Sequence, residues 1–530
     1  MAKWDAAALV PGPCCHMPTS LCRAVIIRKF QGNREAVRRR REMTMPSHDL
    51  LQSPASLLDA WREGDGLSAE LQRYEAWWRA EGEAASRAVD RQGTPPLQAH
   101  DRWGTPIDRV EYIPEYRRLL TRGYATGIVA RAADERSLLP GYRFGHVTAF
   151  FDAGLYCPYT VSLGTLVPLL KYATQDVRER FLPVLTRRDE SVWQGATWMT
   201  EAGGGSDIGH QVQTRARRME GEVWQLDGEK YFCSNVDAEL AVVAARPEGA
   251  VDGVRGLALF LVPRWRVDGS LNYRIRRLKD KIATRSVPTG EVTLAASEGW
   301  LLGEAEQGIY LIMEVLNTSR VANSIGAAAL MQRALAESLT FADQREVFGR
   351  RLREQPLFAR QFEARVEAFR ACFALAWEAA DLLEGVWQET PPYSREYALF
   401  RLVAHLAKFH TADQAADAAR WAMEVHGGAG ALHEYPVERL LREAVILSIW
   451  EGTPHRQMLD GLEVMARTGA HEDLFSRLGL PDGSEALRAR IDDLLAADDD
   501  TRAGGIEPLF RDLARWTAAA LAVRRLPPAQ

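Results

Sequence analysis

The periodicity of the hydrophobic residues changes twice along the chain, and this change limits the possible folds more than any other feature. Residues 56–188 carry apolar side chains at helical spacing. Residues 191–302 instead contain short β-prone runs such as GLALFLVP, separated by Gly, Pro and Asp turns. After Gly308 the helical spacing returns. The sequence therefore predicts an α+β fold in which a largely antiparallel β-domain lies between two helical regions.

Long helices are predicted in the C-terminal part of the chain. The first has one apolar face at three- and four-residue steps, formed by Val321, Ile325, Ala328, Met331, Leu335, Leu339 and Ala342. Residues 358–387 and 397–428 predict two more long helices. Together these segments are typical of a helical bundle. Beyond Arg467 an Asp- and Ala-rich tail precedes a predicted short helix near residues 509–523.

The domain boundaries follow from these changes in pattern. The predicted segments are an N-terminal extension at 1–45, a helical domain at 46–190, a β-domain at 191–302, a helical bundle at 303–466 and a C-terminal extension at 467–530. The first segment carries an arginine run, REAVRRRREMTM, whose two methionines stand where a shorter chain could begin. Arginine-rich, acid-poor leaders can also be targeting peptides. We favour a disordered or artefactual extension.

Charge and cysteine content exclude several functional classes. The formal net charge of −5 gives no general basic field, which argues against DNA as a partner. The six cysteines show neither C-x2-C pairs nor metal-site spacing, so we expect no metal, no disulfide framework and a reducing, cytoplasmic compartment. Apolar runs such as LALFLV are far shorter than the ~20 residues of a membrane-spanning helix. A globular protein that does not span a membrane is predicted.

A glycine-rich segment, WMTEAGGGSDIG at residues 198–209, is the first candidate binding motif. Glycines let the backbone approach a ligand closely, and successive N–H groups beside a hydroxyl can bind an anion such as a pyrophosphate. Considered alone, the segment is better interpreted as an ordinary glycine-rich turn. It matches neither the G-x-G-x-x-G motif nor a P-loop.

Four further motifs follow this segment in a fixed order. They are GEKYFCSNVD at 228–237, QREVFGRRLREQPL at 344–357, EVHGGAG at 424–430 and SIWEGTPHRQML at 448–459. In combination the chain resembles the acyl-CoA dehydrogenase family of flavoproteins, from about Ser56 to Arg467. The resemblance implies an N-terminal helical domain, a middle β-domain and a C-terminal four-helix bundle, with FAD in the crevice between them.

The resemblance also implies which residues bind FAD within one subunit. Four residues match the signature that wraps the flavin ring and the pyrophosphate: Met199, Thr200, Gly205 and Ser206. Phe232 stands where the family often has Trp against the isoalloxazine, and Ser234 where it often has Thr near flavin N5. These changes keep a flat apolar wall and a hydroxyl. Thr453 would contact the adenosine half.

Other matched residues imply an oligomer. Arg345, Phe348, Gly427 and Gly428 match residues that reach the FAD of a neighbouring subunit, so a homodimer or homotetramer is expected. For Arg345 a surface ion pair is the alternative. Gln355 lies ten positions after Arg345, whereas most of the family has its glutamine eleven positions after the arginine, which puts a cofactor role for Gln355 in question.

Glu451 matches the family's catalytic glutamate. Oxidation of a saturated acyl thioester needs a base for the α-proton, and apolar neighbours such as Trp450 would raise the pKa of this carboxyl towards useful basicity. The family also uses the glutamate's backbone N–H to hold the thioester oxygen. Where some members place the base on another helix, this chain has Ser319. Arg320 matches a position that lines the substrate cavity, with a helix-surface arginine as the alternative.

Several features are similar to the AidB-like branch of the family, which is associated with the alkylation response. They are the short spacing before Gln355, the run RLKDKIATRS and the extra C-terminal segment. Some members of that branch bind DNA through a basic C-terminal region. Here residues 467–530 contain nine arginines and eleven acidic residues, so this chain departs from that pattern.

Three functional hypotheses follow. The first is an FAD-dependent acyl-CoA dehydrogenase with Glu451 as base, an acyl-CoA or other acyl thioester as substrate and an electron-transfer flavoprotein as electron acceptor. The second is a DNA-associated flavoprotein of AidB type with weak or vestigial activity. The third is a flavin oxidase or nitroalkane-type enzyme on the same fold, whose members carry Asp at the position of the base.

Overall fold

A computed structural model of the chain describes residues 48–62, 66–479 and 483–525. The predicted extension at 1–45 lies outside the described residues. Within them, a helical region, a β-rich middle and a second helical region follow one another in the predicted order. The numerical domain boundaries stay a prediction.

The N-terminal region is mainly helical. Its helices are α1 (His48–Gln52), α2 (Pro54–Trp61), α3 (Ser68–Trp77), α4 (Glu83–Gln92), α5 (Pro114–Ala125), α6 (Arg131–Asp134), α7 (Leu139–Phe151), α8 (Tyr156–Tyr172) and α9 (Gln175–Leu185). At α2, the Ser53 side chain accepts a hydrogen bond from the Ser56 N–H, and Pro54 supplies a first-turn residue with a preset φ. Local capping chemistry therefore sets the start of this helix.

A β-hairpin that the sequence reading missed interrupts these helices. Strand β1 (Leu97–His100) pairs antiparallel with β2 (Pro106–Val110). The buried Asp108 carboxylate in β2 accepts hydrogen bonds from Arg274 Nε at 2.7 Å and from the Ile275 N–H at 2.8 Å. Since residues of the β-domain hold the hairpin in place, a local sequence pattern could not reveal it.

The middle region forms one sheet that closes on itself. It contains β3 (Gly195–Trp198), the short helix α10 (Ile208–Gln211), β4 (Arg215–Arg218), β5 (Val223–Ser234), β6 (Leu240–Pro247), β7 (Ala258–Pro263), β8 (Arg274–Leu278) and β9 (Thr289–Leu302). The strand order is β3-β6-β4-β5-β9-β7, with β8 on β9 and β7 paired back to β6. Most pairs are antiparallel as predicted, whereas β6 runs parallel to both β3 and β4. The enclosed side chains form a separate apolar core.

The C-terminal region is a bundle around one central helix. It contains α11 (Gly308–Gln344), a small hairpin of β10 (Glu346–Val347) and β11 (Arg350–Arg351), α12 (Pro356–Val386), α13 (Arg395–His426), α14 (Val437–Ile449) and α15 (Pro454–Thr468). The sequence predicted one apolar face for α11, but the helix is buried on nearly all sides because it packs against α7, α8, α12, α13 and α14. In the described part of the chain, no helix is long and apolar enough to cross a membrane.

The C-terminal extension is more helical than predicted. It forms α16 (Ala470–Leu478), α17 (Ser484–Ala496) and α18 (Asp499–Arg525). The Asp498 carboxylate accepts hydrogen bonds from the Thr501 N–H and hydroxyl, so the run of aspartates starts a helix rather than ending one. Phe510 of α18 packs edge-on against Phe409 of α13, at 5.5 Å between ring centroids. The last helix thereby covers the bundle.

Candidate active site

Glu451 lies in a tight turn between two helices of the bundle. Helix α14 ends at Ile449 and α15 begins at Pro454. Glu451 has a φ of 56° and Gly452 a φ of 97°. A positive φ is unusual for a glutamate and is retained mainly where the surrounding structure enforces it, often at functional sites. The turn therefore holds one carboxylate in a conformation that a regular helix end would not give.

Side chains from two helices bind the carbonyl groups of this turn. Arg320 Nε of α11 donates to the Glu451 carbonyl at 3.1 Å. Gln457 Nε2 of α15 donates to the carbonyls of Glu451 and Gly452, each at 3.0 Å. Because buried carbonyl groups need donors, these bonds both satisfy the turn and fix its shape.

A third helix contributes a lysine that binds backbone carbonyl groups at the same turn. Lys408 Nζ of α13 donates to the Ser448 carbonyl at 2.9 Å and to the Gly452 carbonyl at 2.8 Å. The lysine is almost fully buried. It therefore joins the C-terminal end of α14 to the turn, where a cation is favourably placed near the free carbonyl groups of a helix end.

The structure gives Arg320 a different place from the one inferred from the sequence. Its guanidinium forms a buried ion pair with Asp460 at 3.1 Å and donates to the Asn317 side chain at 2.9 Å. It is not among the residues that line the cavity beside Glu451. The reason is that its donors are already committed to Asp460, Asn317 and the turn. Arg320 thus holds the Glu451 turn through its backbone, and a contact with substrate stays a prediction.

Burial and neighbouring charges shift the pKa values of Glu451 and Lys408. Burial raises the pKa of the Glu451 carboxyl to about 6, while the nearby charges of Arg320 and Lys408 oppose that rise. Burial also lowers the pKa of Lys408 to about 7, and Arg320 adds to this effect. A general base is most effective when its pKa lies near the working pH. Glu451 is therefore mostly ionised at neutral pH and still basic enough to accept a proton.

An apolar cavity that is partly open to solvent adjoins Glu451. Its lining includes Tyr156, Cys157, Ala322, Gly326, Leu447 and Trp450. The Trp450 indole Nε1 donates to Asn323 Oδ1, which orients the ring at the wall. Burial raises the pKa of the Cys157 thiol to about 12, so this side chain is a neutral wall group. The cavity can accept an alkyl chain next to a carboxylate.

The glycine-rich segment after β3 is organised by one buried acid. Glu201 accepts hydrogen bonds from the Gln213 N–H at 2.7 Å, the Thr214 hydroxyl at 2.6 Å and Lys230 Nζ at 2.7 Å. Beyond it, Gly205 and Ser206 are exposed. A Cβ at position 205 would lie 2.6 Å from Thr200 Oγ1, so a larger residue there would require the Thr200 side chain to move. The loop is thus anchored at one end and open to a ligand at the other.

An exposed aromatic wall lies near the end of β5. The Phe232 side chain is 56% exposed, although it belongs to a long strand of the β-domain. Lys279 Nζ lies 3.3 Å from the Tyr231 ring centroid and 4.7 Å from that of Phe232. Ser234, two residues further along the strand, is half-buried. This arrangement offers a flat apolar face and a hydroxyl from the same strand.

The residues present fit a flavin dinucleotide. The exposed Phe232 ring suits a planar heterocycle, and the open Gly205–Ser206 backbone suits a pyrophosphate. Met199 is buried directly before this loop. Thr453 precedes α15 and its side chain makes no capping hydrogen bond, which leaves the hydroxyl available to a ligand. These groups are the kinds of contact that a flavin dinucleotide requires.

The residues predicted to serve a neighbouring subunit lie apart from these groups. Phe348 is fully exposed at the tip of the β10–β11 hairpin, with a φ of 53°. Arg345 is exposed and forms no ion pair within the described residues, so the surface-pair alternative is absent there. Gln355 Nε2 donates to the Val347 carbonyl at 2.9 Å and so braces the hairpin of its own chain. Gly427 and Gly428 are exposed after α13.

The residues that support the Glu451 turn were not predicted from the sequence. Lys408, Gln457 and Asp460 were not singled out, although all three are buried beside it. A signal existed for Lys408, because a lone lysine in the apolar run HLAKFH falls on a helix that is otherwise buried there. Gln457 and Asp460 gave no comparable signal, since polar residues are common in the first turns of helices.

Comparisons with known proteins agree with this arrangement. Residues 43–190 match the adaptive response protein AidB N-terminal domain, 196–296 the acyl-CoA dehydrogenase middle domain and 306–465 the acyl-CoA dehydrogenase C-terminal domain. AidB of Escherichia coli (strain K12) is 32% identical over 405 residues, which cover 72% of this chain and 71% of that protein.

Two further similarities concern Caenorhabditis elegans. Acyl-CoA dehydrogenase family member 11 is 29% identical over 415 residues, covering 76% of this chain and 67% of that protein. The crystal structure of ACDH-11 in complex with C11-CoA superposes with a TM-score of 0.78 at 25% identity, covering 92% of this chain and 88% of that one. The chain belongs to the FAD-dependent acyl-CoA dehydrogenase family, in the branch that has the AidB N-terminal domain.

Proposed function

We propose that the protein is an acyl-CoA dehydrogenase that forms an α,β double bond in an acyl thioester, with Glu451 as the general base. The observation that carries this proposal is the position of the Glu451 carboxylate on the wall of an apolar cavity, in a turn held by Arg320, Lys408 and Gln457. The C11-CoA bound to the similar ACDH-11 supports an acyl-CoA as substrate.

The chain's own residues account for the proton transfer. The Glu451 carboxylate takes the α-proton of the thioester, and the electron pair of that C–H bond forms the new double bond. The Glu451 N–H donates to no backbone carbonyl in the described part of the chain, so it is free to donate to the thioester oxygen as negative charge develops there. Bound FAD supplies the oxidant, which accepts the β-hydrogen as a hydride.

The proposed assembly is a homodimer or homotetramer. Phe348 is fully exposed and has a positive φ, a conformation that is retained mainly where the surrounding structure enforces it, often at functional sites. Phe348 and Arg345 would meet the FAD of the neighbouring subunit, together with Gly427 and Gly428. An electron-transfer flavoprotein is the proposed electron acceptor. Light scattering of the intact protein measures the number of subunits.

An anaerobic absorbance titration tests the proposed activity. The oxidised, FAD-loaded protein is titrated with straight-chain and branched acyl-CoAs of increasing length. We expect at least one thioester to bleach the flavin absorbance and to appear as its 2-enoyl product. A flavin that no acyl-CoA bleaches would contradict the dehydrogenase assignment. Consumption of oxygen during aerobic turnover would favour the flavin oxidase instead.

The rate of flavin reduction should rise with pH through about 6. Glu451 must be deprotonated to accept a proton, and burial raises its pKa to about 6. The reactive carboxylate is therefore scarce below that pH and predominant above it. Rapid-mixing absorbance measurements from pH 5 to pH 8 give the profile. A rate that is flat across this range would show that another group, or a step other than proton removal, limits the reaction.

Lys408→Met should move this profile to higher pH and lower the rate at pH 7. Methionine keeps the length of the side chain but removes the charge that opposes the raised pKa of Glu451, together with two hydrogen bonds to the turn. We expect a loss of roughly tenfold at pH 7, comparable with one hydrogen bond from a charged group. Lys408→Arg is the control, because it keeps a cation. An unchanged pH profile of flavin reduction in Lys408→Met would show that Lys408 does not affect Glu451.

A DNA-associated flavoprotein remains the second candidate, because residues 43–190 match the AidB N-terminal domain. The C-terminal helices argue against a DNA-binding role of AidB type, since residues 467–530 carry more acidic than basic side chains. Retention of the protein on DNA that weakens with rising salt would support this candidate.

A further inference from the structure

A second cavity, lined by charged residues, lies end to end with the apolar cavity. Ala153 lines both of them. On α14 the lining passes from Leu447 in the apolar cavity to Glu443 in the polar one, which is about one helical turn, ~6 Å, away. On α11 it passes from Gly326 to Arg333. The two cavities therefore follow one another along the same pair of helices.

Most charges in the polar cavity already have partners within the chain. Arg439 forms an ion pair with Asp152 at 2.8 Å, and its Nη1 donates to the Ser86 hydroxyl at 2.7 Å. Arg333 pairs with Glu83 at 2.6 Å. These pairs hold two of the cavity's cations, whereas Arg87 and Arg91, which also line it, form no ion pair in the described part of the chain.

Glu443 is held by a longer ion pair, in which its Oε1 lies 3.7 Å from Arg439 Nε. Its side chain is 2% exposed, and Oε1 accepts a hydrogen bond from the Thr284 N–H at 3.0 Å. Oε2 has no hydrogen-bond partner in the described part of the chain. This atom lies 3.3 Å from where a Cβ on Gly154 would be, next to the shared Ala153. A buried carboxylate oxygen without a donor is costly, so this atom is a place for a donor from a ligand.

Several groups act on the Glu443 carboxyl. Burial raises its pKa to about 7, Asp152 and Asp90 add to the rise, and Arg439 and the Thr284 N–H oppose it. Lys281, in the segment before β9, also faces it. At neutral pH both the neutral and the ionised forms are present, and either form can accept a hydrogen bond at one oxygen.

We propose that the polar cavity binds the distal end of the acyl chain, and that this end carries a hydrogen-bond donor such as a hydroxyl group. This inference rests on the proposed dehydrogenase function and names its substrate class. The thioester lies at Glu451, the methylene chain fills the apolar cavity and passes Ala153, and the terminal hydroxyl donates to Glu443 Oε2. A terminal carboxylate would be disfavoured at Glu443 Oε2, because it would bring two acidic groups into contact.

Equilibrium binding tests the inference separately from turnover. The probes are 2-enoyl-CoA thioesters, which have already lost the α and β hydrogens, in a series of chain lengths that end in a methyl, a hydroxyl or a carboxylate group. Calorimetric titration of the FAD-loaded protein gives their dissociation constants. At the length that reaches Glu443, we expect the hydroxyl chain to bind roughly tenfold more tightly than the methyl chain, and the carboxylate chain most weakly.

Two variants and one control localise the effect. In Glu443→Leu the preference for the hydroxyl chain should vanish. Ala153→Leu keeps Glu443 but places a larger side chain where the two cavities meet. In this variant the preference for the hydroxyl chain should also vanish, whereas short chains should bind as tightly as they do to wild type. Glu434→Gln, an exposed acid just before α14, should keep the preference.

The outcomes separate this inference from the proposed function. If unsubstituted acyl-CoAs bleach the flavin but the hydroxyl chain gains no affinity at any length, the inference fails and the dehydrogenase assignment stands. A preference that persists in both Glu443→Leu and Ala153→Leu would also overturn it. If no thioester binds and none bleaches the flavin, both fail.

Discussion

Glu451→Gln should lower the rate of flavin reduction by roughly a thousandfold, the middle of the range for loss of a general base. The amide has nearly the same shape as the carboxyl group but cannot accept the α-proton. The turn around it is held through backbone carbonyls, which this substitution leaves in place. FAD content and thermal unfolding should therefore stay close to wild type. Rapid mixing with the best acyl-CoA under anaerobic conditions measures the rate.

Two variants show whether the effect belongs to this carboxyl group. Glu451→Asp keeps an acid but shortens its reach, so its rate should fall between wild type and the glutamine variant. Glu463→Gln makes the same chemical change at a surface ion pair with Arg467 on α15, and should leave the rate unchanged. A Glu451→Gln rate within tenfold of wild type would mean that another group removes the proton. Glu443, the neighbouring buried acid on α14, would then be the first to substitute.

The order of domains could be predicted because the periodicity of apolar residues is a local property. Helical and β-prone segments stand out in the sequence even without knowledge of their neighbours. The hairpin at residues 97–110 could not be predicted in this way, because Asp108 depends on Arg274, which lies more than 160 residues further along. Similarly, α11 was predicted to have one apolar face, but it is buried on nearly all sides. The sequence alone does not show how many helices surround it.

The candidate site was only partly predictable for the same reason. Glu451 could be identified from its short motif, because the acid, the indole and the turn are adjacent in sequence. The residues that hold its turn could not be identified, because Lys408 and Arg320 come from two other helices and contact the turn only in the folded chain. The contact of Arg320 with this turn was likewise not predicted from the sequence.

The glycine-rich loop also depends on a contact that forms only in the folded chain, which is a buried ion pair. Glu201 connects the start of that loop to β5 through Lys230, whose side chain is fully buried. Burial raises the pKa of the Glu201 carboxyl, but the Lys230 charge and the hydrogen bonds from Lys230, Thr214 and Gln213 outweigh this effect and hold it below its ordinary value. The carboxylate is therefore stabilising above its unfolded pKa, and this contribution is lost as the pH falls through the folded pKa.

Lys230→Met should destabilise the protein by about 3–5 kcal/mol, the usual cost of leaving one buried charge without its partner. The substitution removes the ammonium group that binds Glu201 and the Ala244 carbonyl, while keeping a similar volume. Urea unfolding at pH 7 measures the loss. Because Glu201 anchors the loop that carries Gly205 and Ser206, FAD should also be released more readily on gel filtration.

A surface ion pair on the neighbouring strands gives a matched control. Arg276 of β8 pairs with Glu229 of β5, and both side chains are about half exposed, so Arg276→Met should cost about 1 kcal/mol or less. The double variant Glu201→Gln with Lys230→Met should recover part of the loss, because no unpaired charge is left buried. A Lys230→Met variant as stable as Arg276→Met would show that water or another group satisfies Glu201. The glycine-rich loop would then owe its shape to the backbone turn alone.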